Sequence, residues 1–218
     1  MKGLLIKDIR YLIGQKASIA IFIGLGLYFL LTETDVSFAM VFSMIMAAVF
    51  STSSISYDNY ENGMAFLLTL PVRKKTYVVS KYVFSLFVVV AMGSLIGILA
   101  TLCATSGIGD VARSTLGGGM AAGFAAAIVM LAVMIPVYII FGAEKARVAL
   151  LVVYGIVFAV GFLVKNVAGD MLEKIVEFGM KLNEMGAVQL GLMVVGVLAV
   201  ILVVSLLVTM KVVEKKEY

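Results

Sequence analysis

The chain of 218 residues is 63% hydrophobic and 14% charged, and its mean hydropathy is +1.15. Soluble domains contain about 45–50% apolar and about 25% charged residues, so this composition excludes an ordinary globular protein and indicates an integral membrane protein. The formal net charge is only +4. Because the chain has a single cysteine, it can form no intramolecular disulfide. It has no histidine, which is the commonest metal ligand. We therefore predict no metal site.

Residues 1–16 have the pattern of a short amphipathic helix. Leu5, Ile9, Leu12 and Ile13 share one helical face, and charged residues occupy other positions. Such a helix suits the cytoplasmic membrane interface; a frayed basic tail is the alternative. The charges are spread over the whole segment, so the first apolar run is predicted to stay in the membrane rather than to be a cleaved signal.

Six apolar runs follow, uncharged except for Arg147 at the start of the fifth, and each is close to the roughly 20 residues that a membrane-spanning helix needs. They comprise residues 17–31, 36–56, 82–106, 116–142, 147–164 and 188–210. The first and fifth are short, so they must extend into flanking residues or lie in a thinned bilayer. The predicted fold is a single all-α membrane domain, residues 1–218, with six transmembrane helices.

The distribution of Lys and Arg predicts the orientation. With the amino terminus inside, the inner segments 1–16, 57–81, 143–147 and 211–218 hold four, four, two and three of the 17 basic residues. The outer segments 32–35, 107–115 and 165–187 hold none, one and three. Because basic residues are enriched in cytoplasmic loops, both termini are predicted to be cytoplasmic.

The outer segment 165–187 has an amphipathic pattern of its own. Met171, Ile175, Phe178 and Leu182 recur at helical spacing among charged residues. An extracellular amphipathic helix is therefore expected before the sixth span. It could lie on the outer leaflet or fold over the mouth of a pathway.

Small residues are concentrated in the third and fourth runs, which both contain GxxxG patterns, such as Gly93 with Gly97 and Gly119 with Gly123. This pattern lets helix backbones approach closely. It indicates tight packing without identifying an oligomer interface.

Several kinds of chemistry are missing from the sequence. Apart from Arg147 at the first position of the fifth run, no charged residue lies inside the six runs, which argues against a carrier coupled to ions or protons. There is no GxxxxGK[ST] phosphate loop, no GxSxG, no HExxH and no cysteine pair. We therefore predict that this chain is not an enzyme by itself.

Hydroxyl groups are the polar side chains within the runs, and they are densest between residues 51 and 57. A hydroxyl in a membrane helix can simply bond its own backbone. Because these residues cover every side of the helix, at least one side should meet protein or water. The candidate pathway-lining residues are Ser51, Thr52, Ser54, Tyr57 and, in the fifth run, Tyr154.

The segment 57–81 is the longest inner loop, and it contains a seven-residue apolar run, residues 64–70. As a helix this run would span only about 10 Å, a third of a bilayer core. It must lie on the membrane or fill a groove on a partner.

This segment resembles the first cytoplasmic loop of ABC transporter permeases of the type-2 class. The matching residues of the loop are Asp58, Glu61, Asn62, Gly63, then LLTLP and Val72, Arg73, Lys74, Thr76 and Lys81. The opening MKGLLIKDIR also resembles the start of small bacterial permeases of this class. Those permeases include subunits of phenol-soluble-modulin and antimicrobial peptide exporters. The resemblance covers the first 82 residues.

The resemblance implies a cytoplasmic coupling helix between helices 2 and 3, in the segment 57–81. It further implies two permeases, identical or homologous, and two separate ATPase subunits that bind ATP and Mg. This chain itself would hold no cofactor and bind no nucleic acid. The residues expected to contact the ATPase are Asp58, Glu61, Asn62, Met64, Phe66, Leu67, Leu70, Pro71, Arg73, Lys74 and Lys75.

The expected function is that of the permease subunit of an ATP-driven exporter in the bacterial cytoplasmic membrane. The scarcity of polar anchors favours an amphipathic peptide, antimicrobial or lipid-like substrate. The alternative is a membrane anchor or sensor subunit that binds a cytosolic partner without transport.

Overall fold

The computed structural model describes residues 2–32, 36–59, 73–106, 113–167 and 187–215, and the regular structure in these ranges is entirely helical. The helices are α1 (Lys2–Gly14), α2 (Lys16–Thr32), α3 (Val36–Asn59), α4 (Lys74–Ser106), α5 (Arg113–Val167) and α6 (Ala187–Lys215). The predicted all-α class is confirmed for the part of the chain that the structure describes.

Four stretches are long and apolar enough to cross a membrane: Val36–Asn59, Lys74–Ser106, Leu116–Gly142 and Gly191–Lys215. Helices α1 and α2 give a fifth candidate if the bent pair is counted as one span. The predicted run 147–164 is helical as the later part of α5, but it is not among these candidates. A multi-pass helical membrane protein is therefore shown, and the count of six spans stays a prediction.

Helix α4 starts earlier than the apolar run that predicted it. It begins at Lys74, so residues 74–81, which sequence reasoning gave to the loop, form its first two turns. The carbonyl of Arg73 accepts the first helical hydrogen bond from Tyr77 N at 3.2 Å. Tyr77, Val78, Ser80 and Lys81 are buried, because other helices of the chain cover this polar end of α4.

The amino-terminal helix is bent away from the span that follows it. Helices α1 and α2 meet at an angle of 72° around Gln15. Gln15 N closes the last turn of α1 on Leu12 O at 2.9 Å, and Gln15 O accepts the first bond of α2 from Ile19 N at 3.1 Å. In α1, Leu4 and Asp8 face the protein, whereas Ile9 and Ile13 are exposed.

Helix α5 is broken at Gly142, whose backbone angles are φ 76° and ψ 168°. A side chain at this positive φ would clash with its own backbone, so glycine suits the break. The segment before it spans Leu116–Gly142, and helical structure resumes up to Val167.

Helix α3 is central, and it packs most extensively against α5. A Cβ atom at Gly119 would lie 2.9 Å from Ser37 Cα, and one at Gly123 would lie 2.6 Å from Met44 Sδ. The GxxxG pattern of the fourth run therefore brings two helices of the same chain together.

The carboxyl-terminal helix contacts α5 at a carbonyl group that a proline leaves without a helical partner. Pro136 has no N–H, so the carbonyl of Ala132, four residues earlier in α5, loses its helical partner. Ser205 of α6 donates to this carbonyl at 2.6 Å. The Ser205 hydroxyl lies 2.7 Å from that of Tyr82, which also lies 3.1 Å from that of Thr209. The hydrogen bonds of these three hydroxyl side chains join α4, α5 and α6.

Ion pairs bring residues near the ends of several helices together at one end of the bundle. Lys75 at the start of α4 pairs with Glu214 near the end of α6, with nitrogen and oxygen 2.8 Å apart. Lys7 of α1 pairs with Asp58 near the end of α3. The predicted amphipathic helix of residues 165–187 falls almost wholly outside the described residues.

Candidate functional site

Most of the predicted ATPase-contact residues lie outside the part of the chain that the structure describes. These are Glu61, Asn62, Met64, Phe66, Leu67, Leu70 and Pro71. The structure does describe the two stems of their loop, which are the end of α3 with Asp58 and the start of α4 with Arg73, Lys74 and Lys75. The predicted contacts with an ATPase therefore stay predictions.

The basic stem presents charge to the outside. Arg73 and Lys75 are exposed, and Lys74 is half-buried. The Lys75–Glu214 pair leaves 58% and 49% of the two side chains exposed, so solvent screens its attraction. These side chains are placed where a soluble partner could reach them.

Asp58 has a different environment, because its side chain is only 2% exposed. Lys81 Nζ lies 2.6 Å from Asp58 Oδ2, and the Tyr77 hydroxyl donates to the same oxygen at 3.1 Å. Lys7 pairs with Asp58 Oδ1. Asp58 is thus bound inside the protein rather than presented on its surface.

Asp8 completes a buried group of charges with Lys7, Asp58 and Lys81, called here the charge cluster. Lys81 Nζ donates to Asp8 Oδ1 at 2.8 Å and to Ser54 Oγ at 2.6 Å, and Ser54 donates in turn to Asp8 Oδ1 at 2.7 Å. Lys7 lies 3.4 Å from the same Asp8 oxygen. Two carboxylates face two ammonium groups, so the cluster has no formal net charge. Burial of ions is tolerated only when they are paired in this way.

The hydroxyl run of α3 divides into two kinds of group. Ser51, Thr52 and Ser53 donate to backbone carbonyls three residues earlier, at 2.6–2.7 Å, so their hydrogens serve their own helix. Ser54 instead belongs to the charge cluster. The side chains of Ser51 and Ser54 are buried, and neither lines the cleft beside α3.

A cleft of about 410 Å³ opens along the carboxyl-terminal half of α3, beside the loop stem. Its walls are aromatic rings and hydroxyls from α1, α2, α3 and α5; the lining residues are Tyr11, Phe22, Val49, Phe50, Thr52, Ser53, Ser56, Tyr57 and Tyr138. The rings of Tyr11 and Tyr57 are in contact, with centroids 4.8 Å apart. None of these side chains is an acid, a lysine or an arginine, so the lining suits an uncharged amphipathic group.

The structure thus brings together two of the five predicted pathway residues, Thr52 and Tyr57, in one cleft. Ser51 and Ser54 face the interior of the helix bundle. The side chain of Tyr154 lies outside the described part. The pathway roles of all five stay predictions.

A sequence model of the family described as ABC-2 family transporter protein matches residues 3–214, nearly the whole chain. The chain belongs to the ABC-2 transporter family. The resemblance seen in the first 82 residues is therefore confirmed and extended. No curated protein and no solved structure matches the chain. As an ABC-2 permease it is the membrane part of an ABC transporter, and permeases of this family generally work with an ATPase subunit and often dimerise.

Sequence reasoning missed the charge cluster of this ABC-2 permease. The sequence predicts Asp58 at the partner surface and Lys81 as the last residue of the loop, whereas the structure buries both side chains. A signal was present, because Asp8 and Leu4 are one helical turn apart and Asp8 is the only acid before residue 33. An acid that is buried together with a neighbouring apolar residue needs a cation as partner.

Proposed function

We propose that this ABC-2 chain is the permease subunit of an exporter in the bacterial cytoplasmic membrane. Two permeases, identical or homologous, would form the pathway, and two separate ATPase subunits would bind at residues 58–75, where the buried Asp58 would support the loop stem from inside. ATP and Mg would be held by those subunits, which supply the phosphate chemistry that this sequence lacks. The proposed substrate is an amphipathic peptide, antimicrobial or lipid-like molecule.

The observation that carries the proposal is the uncharged aromatic and hydroxyl cleft next to the stems of the loop. The cleft includes Tyr57, which is adjacent in sequence to Asp58 at the carboxyl-terminal end of α3. A movement of this stem would therefore change the cleft directly. Apolar walls with a few hydroxyls suit a molecule that partitions into the membrane interface.

The ATPase interaction is tested by co-purification with a cassette ATPase encoded beside the permease. We expect Leu67→Glu or Arg73→Glu to reduce both complex formation and ATP turnover in the complex. Lys215→Glu is the matched control, because it changes an exposed charge near the end of α6 and outside the loop. Normal complexes with both loop variants would contradict the proposed docking site.

The pathway is tested by cross-linking single cysteines between protomers, with Cys103→Ser as the background. Ser53→Cys and Tyr57→Cys are the suitable positions, because both side chains line the cleft. We expect cross-links that depend on the nucleotide state. Ser51→Cys is the buried control. Absence of cross-links in every state would place the pathway elsewhere, and an intact ATPase complex without transport would favour the anchor or sensor function.

A further inference from the structure

We propose that the charge cluster is a positioning element for energy coupling, which holds α1 and both stems of the loop as one rigid unit. The proposal rests on the proposed function, because the loop between these stems is the expected docking site of the ATPase. Its residues act through one another and not by contact with substrate.

The cluster joins three elements at the base of the loop. Lys7 and Asp8 belong to α1, Asp58 lies one residue before the end of α3, and Lys81 lies two turns into α4. Lys81 binds acceptors on both α1 and α3, with Asp8, Ser54 and Asp58 all within 2.8 Å of its nitrogen. Both stems are therefore tied to each other and to α1.

Burial makes these ties hard to break one at a time. The side chains of Lys81 and Asp8 are 1% exposed, and only Lys7, at 32%, reaches the surface. Separating α1 from either stem would leave a buried ion without its partner, which is strongly unfavourable. A force applied to the stems by an ATPase would then carry α1 along instead of pulling it loose.

The positions of Tyr11 and Tyr57 indicate which part of the cleft would change when α1 and the stems move together. Tyr11 of α1 and Tyr57 of α3 line the same side of the cleft and touch each other. If α1 and the stems move together, this tyrosine pair moves as one wall. The gap that changes is then the one between this wall and Tyr138 of α5.

The first test measures a distance by electron spin resonance between nitroxides at Ile6→Cys on α1 and Val83→Cys on α4. Both side chains are exposed and outside the cluster. The permease is assembled with its ATPase, and labelled copies are diluted with unlabelled ones. We expect the same distance without nucleotide and with vanadate-trapped ATP. A nucleotide-dependent distance in the otherwise unsubstituted cluster would overturn the proposal.

The second test uses Asp8→Asn with Lys81→Met, which removes one charge of each sign and keeps the Lys7–Asp58 pair. We expect the distance distribution to broaden and to become nucleotide-dependent. ATP hydrolysis should continue, while the Ser53→Cys cross-link loses its dependence on nucleotide. A purely structural role would not separate hydrolysis from this movement. Retention of both the narrow distance and the nucleotide-dependent cross-link would also overturn the proposal.

Two controls keep the outcome interpretable. Lys215→Met removes an exposed charge at the end of α6, outside the loop, and should behave as the unsubstituted protein. If the buried double variant does not assemble, Tyr77→Phe is used in its place, because it removes one hydroxyl donor to Asp58. We expect it to broaden the distance distribution by a smaller amount. An unchanged distribution in this variant would contradict the proposed role of the charge cluster. Failure of the ATPase to bind would contradict the proposed function alone, since the broadening can still be measured in the isolated permease.

Discussion

At Lys81, a cation is held inside the bundle by two carboxylates that are far away in sequence. Replacing it by methionine keeps the length of the side chain but leaves Asp8 and Asp58 with one partner between them. We expect Lys81→Met to destabilise the permease by about 3–5 kcal/mol, the usual effect of breaking a buried ion pair. Reversible unfolding in mixed SDS and detergent micelles measures this change.

The same substitution at Lys75 is the control, because Lys75 and Glu214 are largely exposed. We expect a change of about 0–1 kcal/mol, since screened surface pairs contribute little. Adding Asp8→Asn to Lys81→Met should recover part of the loss, because the second change removes the unpaired charge. Equal destabilisation at Lys81 and Lys75 would show that the cluster is not buried in the folded protein.

At the scale of helices, the predicted hydrophobic runs coincide with apolar parts of α3, α4 and the first part of α5. They failed at the polar end of α4, because the rule that charged residues stop a span assumes that lipid surrounds the helix. Lys81 is covered by protein, so the helix continues through it. The cleft could be predicted only in part, since periodicity does not tell which side of a run of six hydroxyl groups faces a neighbouring helix.

The contact between Pro136 and Ser205 gives a prediction at this scale. Ser205→Ala leaves the carbonyl of Ala132 without a donor, and we expect a loss of about 1–3 kcal/mol in the SDS unfolding assay. Pro136→Ala restores an N–H four residues after Ala132 and gives the carbonyl its helical partner again.

The two changes should therefore be non-additive, with the serine replacement less damaging when residue 136 is alanine. Thr209→Ala is a useful comparison, because its hydroxyl contacts Tyr82 but not the carbonyl of Ala132. Additive losses would mean that the Ser205 bond does not compensate for the proline.

For the whole molecule, the directions of the helices bear on the number of spans. The start of α5 lies beside the start of α3, where Gly119 meets Ser37, and Tyr138 lies near the end of α3 in the cleft. Helix α6 runs the same way, from Gly191 beside Gly118 to Glu214 beside Lys75. The chain between Gly142 and Gly191 must therefore return to the first end of the bundle.

Residues 143–167 are long enough for this return, because 25 helical residues extend about 37 Å and a bilayer core is about 30 Å thick. We therefore expect six spans, with both termini inside. The measurement is labelling of single cysteines on intact cells by a membrane-impermeant maleimide, with Cys103→Ser as the background. Cysteines replacing Thr32 and Glu173 should react, whereas one replacing Lys215 should react only after permeabilisation. If Glu173→Cys is protected on intact cells while Thr32→Cys reacts, residues 147–164 do not cross the membrane.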